Sequence, residues 1–479
     1  MPQFYMPPEC DAYRQMVFDV IRIFVPDFQW AEHGAGEPVT VHCTETACTL
    51  RMGAYQKTFP AEGMDENQRR RLIRQEVYRV SRYTSGQPSH PWGIMTGVRP
   101  TKIVHRCLDE GMSPAEIGRL LREEYLLSEE KAALLLEVTG RQRAFLPDRQ
   151  QARQTVSVYL SIPFCPTRCA YCSFPSFCLP RLPLQEEYLT NLLRECRAVG
   201  EKLHQLGKQI QTVYIGGGTP TSLSAAQLER LLQGVHRYLD GARLQEFTVE
   251  AGRPDTITAE KLQLLHDYQV GRISINPQTF SKTTLDAIGR RHSVEQTVEA
   301  YQLARQIGFD SINMDLITGL SGEQVSHFAH SLEQISQLKP ENVTVHTLAI
   351  KRTARLQLDQ LSEQQSSTVQ AMHQYLRQWL AGEPYVPYYL YRQKHMVGDQ
   401  ENTGYCLPGK ESLYNIQMME ERQTVLGLGV GSTSKYVSPA DWTLTQSSNP
   451  KDLYYYNQRI DEIIARKLAR LEAMEEQEG

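Results

Sequence analysis

The sequence predicts an α/β fold in which strands and helices alternate along the middle of the chain, and three observations carry that expectation. Six short β-branched segments recur there: "TVSVYLSIP" (155–163), "TVYIGGG" (212–218), "EFTVEAG" (246–252), "RISINPQ" (272–278), "SINMDLITGL" (311–320) and "NVTVHTL" (342–348). The intervals between them are apolar at helical period, as in "LQEEYLTNLLRECRAVGEKLHQLG" and "SVEQTVEAYQLARQIGF". No tandem repeat or low-complexity run interrupts the series. Six strand–helix units in a row require right-handed crossovers and a parallel sheet, either open or curled into a barrel.

At 479 residues the chain is past the size at which one core stops growing, so two or three domains are expected. Its formal net charge of -4 argues against a general nucleic-acid binder. The N-terminal "MPQFYMPPECDAYRQMVFDVIRIF" has neither a basic segment leading into an unbroken apolar run nor a small-residue cleavage site, and no stretch reaches the roughly 18 apolar residues of a membrane span. A cytoplasmic protein is expected. Ten cysteines are too sparse for a disulfide framework, so Cys10, Cys43, Cys48, Cys107, Cys196 and Cys406 are expected as ordinary core or surface thiols.

Residues 1–150 read as an accessory unit. "VTVHCTETACTLRMGAYQKTF" alternates like a strand pair. In "SPAEIGRLLREEYLL", Ser113 as N-cap, Pro114 at the first helical position and Glu116 two further on form a capping box, and a second helix is expected from Ser128. The Arg-rich stretch from Glu66 to Lys102 suits a solvated helix face better than an anionic-partner surface, and "LPDRQQARQ" (146–154) reads as a linker. After 350 the pattern loosens into a helix near 363–381, the aromatic "EPYVPYYLYRQKHMVGDQENTGYCLPGKESLYN", "VLGLGVGSTSKYV" and a charged terminal helix. "GLGVGS" (427–432) lacks the strand–helix context of a dinucleotide loop and reads as a turn.

The chemistry concentrates in "SIPFCPTRCAYCSFPSFC" (161–178), directly after the first strand of the series. In parallel strand–helix architectures, the loops that follow strand C-termini line the active site. Cys165, Cys169 and Cys172, spaced CxxxCxxC, can ligate three irons of a 4Fe-4S cluster and leave the fourth open. A zinc site recruiting Cys178 and a dithiol pair of Cys169 with Cys172 are the alternatives, and the loop alone leaves all three standing. The next strand ends in "YIGGGTP" (214–220), whose glycines let a ligand approach the backbone; no Lys-Ser/Thr pair follows, so it is not a phosphate loop.

Together, "YLSIPFCPTRCAYC" and "YIGGGTP" resemble the signature of radical S-adenosylmethionine (SAM) enzymes. The resemblance implies an α/β radical-SAM partial (βα)6 barrel over 155–350, with an N-terminal α/β accessory domain (1–150) and a C-terminal α/β cap covering substrate (351–479). It further implies that Cys165, Cys169 and Cys172 hold one 4Fe-4S cluster. The amine and carboxylate of SAM then chelate the open iron, and one electron cleaves the sulfonium to a 5′-deoxyadenosyl radical. "TVEAGRPDT", "RISINPQTF", "LDAIGRRH" and "INMDLITGL" extend the resemblance to the oxygen-independent coproporphyrinogen III oxidase group, and "GVRPTK" (97–102) with "LYNIQMMEERQTVLGLGVGSTSK" to its longer, HemZ-type branch.

Carried over position by position, this makes Tyr159, Gly217, Gly218, Thr219, Glu250, Gln278, Arg290 and Asp315 candidate ligands of one or two molecules of SAM, and Tyr159 and Cys178 candidates for the catalytic set. An acid suits ribose hydroxyls, an Arg a carboxylate and an amide the adenine or methionine polar atoms. The implied reaction is oxidative decarboxylation of two propionates of coproporphyrinogen III to vinyl groups. Its implied partners are the tetrapyrrole and a flavodoxin- or ferredoxin-type electron donor. Arg272, Arg291, Lys351, Arg352, Arg392, Lys394 and Lys435 are available as carboxylate anchors.

Three departures bear on the reaction. Ser161 stands where the family often has His, Phe174 stands where some oxidases have a further cysteine, and Cys178 lies four residues beyond that place. A haem-binding chaperone of the same fold carries H-N-x-x-Y-W ahead of its glycine-rich segment. Here "LYNIQMMEE" offers Tyr414, Asn415, Met418 and Met419 without the ligating His, and His395 and Met396 are the remaining haem contacts for that reading. A haem-modifying radical methyltransferase would keep the enzyme class and change the substrate.

Overall fold

The computed structural model describes residues 3–32, 35–172, 174, 176–239, 244–349, 363–394 and 396–478. The chain divides into two compact units, Met1–Gly140 and Arg141–Gly479.

The first unit contains β1 (Phe4–Tyr5), α1 (Asp11–Ile21), β2 (Glu37–Cys43), β3 (Ala47–Met52) and β4 (Tyr55–Pro60), followed by α2 (Glu66–Ser85), α3 (Thr101–Asp109), α4 (Pro114–Glu123) and α5, which starts at Glu129 and runs to Gln142. The expected strand pair is a three-stranded antiparallel meander, and β1 adds to β2 in parallel. The Ser113–Glu116 capping box forms as the sequence reading has it. Cys43 and Cys48 are not separate thiols: the register of β2 and β3 sets them directly opposite, and they form a disulfide. Most of the arginine run is consumed locally. Arg69 donates to the Thr44, Glu45 and Met64 carbonyls, Arg70 pairs with Glu66, and Arg71 with Glu124.

The second unit begins with a helix where the sequence reads as a linker. This is α6 (Arg149–Gln154), started by Asp148, whose carboxylate accepts from the Gln151 amide while the Gln151 side chain accepts from the Asp148 amide. Then follow β5 (Thr155–Ile162), β6 (Phe164–Cys165), β7 (Phe177–Cys178), α7 (Leu182–Gln205), β8 (Gln209–Gly217), α8 (Ala225–Tyr238), β9 (Glu246–Gly252), α9 (Ala259–Asp267), β10 (Arg272–Ile275), α10 (Lys282–Ala287) and α11 (Val294–Ile307). The remainder is β11 (Ser311–Thr318), α12 (Val325–Leu338), β12 (Asn342–Thr347), α13 (Glu363–Leu380), β13 (Val386–Tyr391), β14 (Asn402–Cys406), α14 (Leu413–Glu420), β15 (Thr424–Leu428), β16 (Thr433–Val437), β17 (Leu444–Ser448), α15 (Leu453–Gln458) and α16 (Ile460–Glu478).

The six predicted strands, β5, β8, β9, β10, β11 and β12, are parallel and neighbours in chain order. Sequential order with one crossover hand puts every connecting helix on the same face, which leaves the other face free to become an interior. Side-chain alternation follows this division. Val156, Val158 and Leu160 of β5, Val213 and Ile215 of β8, Phe247 and Val249 of β9, Ile312 and Met314 of β11, and Val343 and Val345 of β12 are buried in one core cluster with α7, α8 and α12. The residues between them are Ser157, Tyr159, Thr212, Tyr214, Thr248, Glu250, Asn313, Asp315, Thr344 and His346, so the opposite face is polar and aromatic.

The C-terminal residues extend this sheet at both edges. β14 and β13 add antiparallel beyond β12, and β15 adds parallel to β5, followed by the β16–β17 hairpin. "GLGVGS" is the end of β15 and the turn into β16, with Gly429 and Gly431 at positive φ. A buried lock ties this edge to α7 and α16. Glu195 takes Lys467 at 2.7 Å, the Tyr456 hydroxyl at 2.7 Å, the Gly429 amide at 2.8 Å and Asn449 at 3.0 Å.

Candidate active site

The cysteine loop leaves the C-terminal end of β5 and is anchored before its first thiol. Phe164 is fully buried edge-on against Tyr188, and its carbonyl accepts the Thr219 amide at 2.7 Å. The chain then runs through Cys165 in β6, returns beside it as β7, and so pairs Cys165 with Cys178 in parallel register. Cys165, Cys169 and Cys172 are all free thiols. Burial pushes the Cys165 and Cys172 thiols up, and the nearby Cys169 pushes both further, so the three sulfurs sit within electrostatic reach of one another. Cys178 is exposed, as is Phe174.

Two clamps hold the loop from the ends of neighbouring strands. On the β9 side, Arg253, only 3% exposed, donates to the Thr167 carbonyl at 3.1 Å and hydroxyl at 2.8 Å, and its other edge forks onto Asp255 at 3.0 and 2.8 Å. On the other side, the Ala170 amide donates to the Ile288 carbonyl at 3.0 Å and Arg290 donates to the Tyr171 hydroxyl at 3.2 Å and the Asn276 carbonyl at 2.7 Å. Sequence reasoning singles out Arg290 and passes over Arg253, Asp255 and Thr167. Arg253 lies within the quoted "TVEAGRPDT", but nothing in that string announces a partner 86 residues upstream. His292 is missed as well. It is fully buried beside the Arg290 turn, neither ring nitrogen has a hydrogen-bond partner among the described residues, and burial followed by the Arg290 charge pushes it down to about 4.

The glycine segment lies against this loop. The Gly218 amide donates to the Ile162 carbonyl at 2.7 Å, and a Cβ built on Gly218 falls 2.6 Å from the Phe164 carbonyl oxygen and 3.0 Å from the Cys165 sulfur. No side chain fits there. Gly217 has φ of 117°, in the region that favours glycine. The Thr219 hydroxyl is 3.4 Å from the Cys165 sulfur.

Below the loop, the polar face carries two carboxylates of opposite character. Burial pushes Glu250 up to about 7; Tyr214, donating at 2.6 Å, pulls it part of the way back, and Asp315 pushes it up again. Burial alone would raise Asp315 too. His346 at 3.6 Å, Asn313 at 2.8 Å and Thr344 outweigh that and hold it below its usual range. Tyr159 stacks on Tyr214 across β5 and β8, and Tyr414 of α14 covers both, with its ring centroid 4.4 Å from that of Tyr214. Glu246 fixes α14 in that place by accepting from the Ser412 hydroxyl and the Leu413 and Tyr414 amides. This aromatic floor is not readable from sequence, because Tyr414 reaches it from 200 residues beyond Tyr214.

Several sequence expectations land elsewhere. Arg272 sits at the start of β10 and donates to the Ser311 hydroxyl and Lys410 carbonyl; Arg392 pairs with Asp399 and Lys435 with Glu421. All three are buried in structural bonds, contrary to the expectation that they anchor substrate carboxylates. Arg291 and Lys394 are exposed, while Lys351, Arg352 and His395 lie outside the described residues. Met396 is buried and its sulfur accepts the Gln393 amide.

The donor set fits the cluster and SAM. Three free thiols share one clamped loop, and past the end of β10 the Asn276 and Gln278 side-chain oxygens, with the Arg290 Nε of the second clamp, are buried with no hydrogen-bond partner among the described residues. Buried polar atoms of this kind call for a polar ligand. Among the described residues, no three His, Cys, Asp or Glu side chains close on a point as a single ion requires. A cubane takes its thiolates at separate corners.

The comparisons with known proteins agree. The Radical SAM superfamily profile matches residues 159–335. The oxygen-independent coproporphyrinogen-III oxidase-like protein HemZ of Bacillus subtilis is 45% identical over 385 residues, 80% of this chain and 77% of that protein. The haem chaperone HemW of the same organism is 39% identical over 196 residues, 41% of this chain and 51% of that protein. Among solved structures, coproporphyrinogen III oxidase HemN of Escherichia coli, a radical SAM enzyme, superposes with a TM-score of 0.52 at 24% identity, covering 67% of this chain and 72% of that one, which speaks for the fold. No helix among the described residues is long and apolar enough to cross a membrane. The chain belongs to the radical SAM superfamily, whose members work with a 4Fe-4S cluster and SAM, and within it to the HemZ-type branch of the oxygen-independent coproporphyrinogen III oxidase group.

Proposed function

We propose that the protein catalyses the oxygen-independent oxidative decarboxylation of coproporphyrinogen III, converting two propionates to vinyl groups and giving protoporphyrinogen IX. The observation that carries this reading is the 45% identity to the HemZ relative, sustained over 80% of this chain and so well beyond the shared superfamily core. When bound, the cluster and SAM would supply one-electron chemistry and abstraction of a hydrogen atom; the substrate would then lose CO2 and pass one electron to a one-electron acceptor to complete each vinyl group.

The chain's own residues would divide the remaining work. Cys165, Cys169 and Cys172 hold the cluster, and the Arg253 and Arg290 clamps keep their loop in place. Gly217, Gly218 and Thr219 let SAM approach the backbone beside Cys165. Glu250, which shares its proton near neutrality, and the ionised Asp315 accept ribose or amine hydrogens at different charge. Gln278 and Arg290 offer an oxygen and a nitrogen that the protein leaves unsatisfied. Tyr159, with Tyr214 and Tyr414, closes the inner face beneath the ligands and excludes water. Cys178, in register with Cys165, is the further thiol within reach of this end of the sheet. A low-potential flavodoxin- or ferredoxin-type protein would deliver the electrons.

The test is anaerobic turnover with coproporphyrinogen III and haem offered separately, followed by mass spectrometry. Loss of two CO2 from coproporphyrinogen, with deoxyadenosine formed in step, supports the reading. Deoxyadenosine formed only with haem reassigns the substrate. The HemW likeness favours a second reading, a haem chaperone, and stoichiometric haem binding without any turnover would establish that instead.

A further inference from the structure

The Met1–Gly140 unit carries a cavity that the radical SAM assignment does not use. It lies where α2 ends and the chain turns through Gly86–Pro91, against α4 and the residues after it, and it measures about 730 Å³. That is within the roughly 300–1,000 Å³ of small-molecule sites. Arg79, Arg82 and Arg122 line it together with Tyr78, Tyr83 and Leu126, and no Asp or Glu is among its lining residues.

The walls are built before any ligand arrives. The Tyr78 hydroxyl accepts the His90 amide at 2.7 Å, the Ser128 amide donates to the Pro91 carbonyl at 2.9 Å, and the Ile94 amide to the Tyr125 carbonyl at 2.9 Å. Trp92, fully buried with the Lys131 ammonium 5.7 Å from its ring, pins the segment from behind. Two of the arginines are steadied by acids, Arg79 by Glu76 and Arg122 by Glu129. Arg82 makes no ion pair or side-chain hydrogen bond among the described residues. Beside it, the ring of Tyr83 is 90% exposed. The carbonyl end of α2 points the same way and opposes an anion, but the Gly86 cap already engages the Arg82 carbonyl, so the guanidinium charges dominate.

An unneutralised guanidinium, two more with remaining donors and an exposed aromatic face make a site for acidic groups on a flat apolar body. We propose that this cavity binds a small molecule with two or more acidic groups, which Arg82, Arg79 and Arg122 take in forked hydrogen bonds while its apolar body lies on Tyr83. Carboxylates and phosphates share that chemistry. The inference stands whether or not the decarboxylation reading holds.

The experiment is calorimetric titration of the anaerobic, SAM-saturated full chain with coproporphyrin III, ATP and inorganic tripolyphosphate, repeated on Arg82→Glu and Tyr83→Ala. Both side chains are exposed, so each variant should match the parent in iron per chain and melting temperature. A coproporphyrin III binding event weakened at least tenfold by both variants supports the proposal and makes the ligand a polycarboxylate. An ATP event weakened by both, with tripolyphosphate weakened by Arg82→Glu alone, supports it and makes the ligand a phosphate ester. Affinities for all three probes unchanged in Arg82→Glu overturn it. If Arg82→Glu lowers the melting temperature, Tyr83→Ala decides by the same criterion on coproporphyrin III and ATP.

Discussion

Replacing Arg253 should loosen the cluster loop more than it loosens the fold. Arg253→Met removes two charge-assisted bonds to Thr167 and the fork onto Asp255, whose carboxylate, 21% exposed, then stands without its partner. Bonds to a charged group contribute about 1.5–3 kcal/mol each, and stranding a half-buried acid adds to that. Asp255 can rotate toward water and Ala170 still tethers the loop to Ile288, so a net loss of about 2–3 kcal/mol is the reasonable figure. If that loss falls on the loop, cluster affinity drops roughly 30- to 150-fold. The assay is iron and sulfide retention after anaerobic reconstitution and a timed chelator challenge, with melting of the cluster-free chain measured in parallel. Retention should fall in the order wild type, Thr167→Val, Arg253→Lys, Arg253→Met. Wild-type retention in Arg253→Met together with a lowered melting temperature would refute the clamp and leave Arg253 a purely structural residue.

Further outcomes follow from the same geometry. Glu250, raised from 4.5 to about 7 in the folded chain, keeps its proton where the unfolded chain has lost it. Stability should therefore fall as pH rises through that window, by at most about 3 kcal/mol and less for its partial exposure. Melting of cluster-free Glu250→Gln should gain on wild type between pH 5 and 8, and a constant difference across that range would contradict the shift. Lys467→Met strands Glu195 in the core and should cost about 3–5 kcal/mol in denaturant unfolding; a cost under 1 kcal/mol would show that Tyr456, Asn449 and Gly429 suffice. Gly218→Ala drives a methyl into the Phe164 carbonyl and Cys165 sulfur, so iron per chain should drop with little change in far-UV circular dichroism. Full iron occupancy would mean that the segment shifts freely.

Much of the barrel was legible because each parallel strand alternates faces. In "TVSVYLSI", "TVYIGGG" and "NVTVHTL" the aliphatic positions face the helices, and Tyr159, Tyr214 and His346 the interior. The thiol spacing is local and was readable without a fold. What escaped was non-local. Strand β14 pairs antiparallel with β12 and β15 parallel with β5, each across a long interval, and the turns within β13–β17 give weak local signals. Arg253 meets Thr167, and Tyr414 meets Tyr159, only because the topology returns strand ends to one place. The basic candidates Arg272, Arg392 and Lys435 failed for the converse reason: a charge reads the same in sequence whether it meets a substrate or a buried carbonyl.

The central claim is a three-thiolate cluster whose fourth corner is left to SAM. It is tested most directly by iron and sulfide analysis with electron paramagnetic resonance of the reduced cluster, with and without SAM, on wild type and Cys178→Ala. The account predicts about four irons and four sulfides per chain, a spectrum that changes when SAM is added, and the same behaviour in Cys178→Ala, whereas Cys169→Ala loses the cluster. Zinc in place of iron, or a spectrum indifferent to SAM until Cys178 is removed, would contradict it.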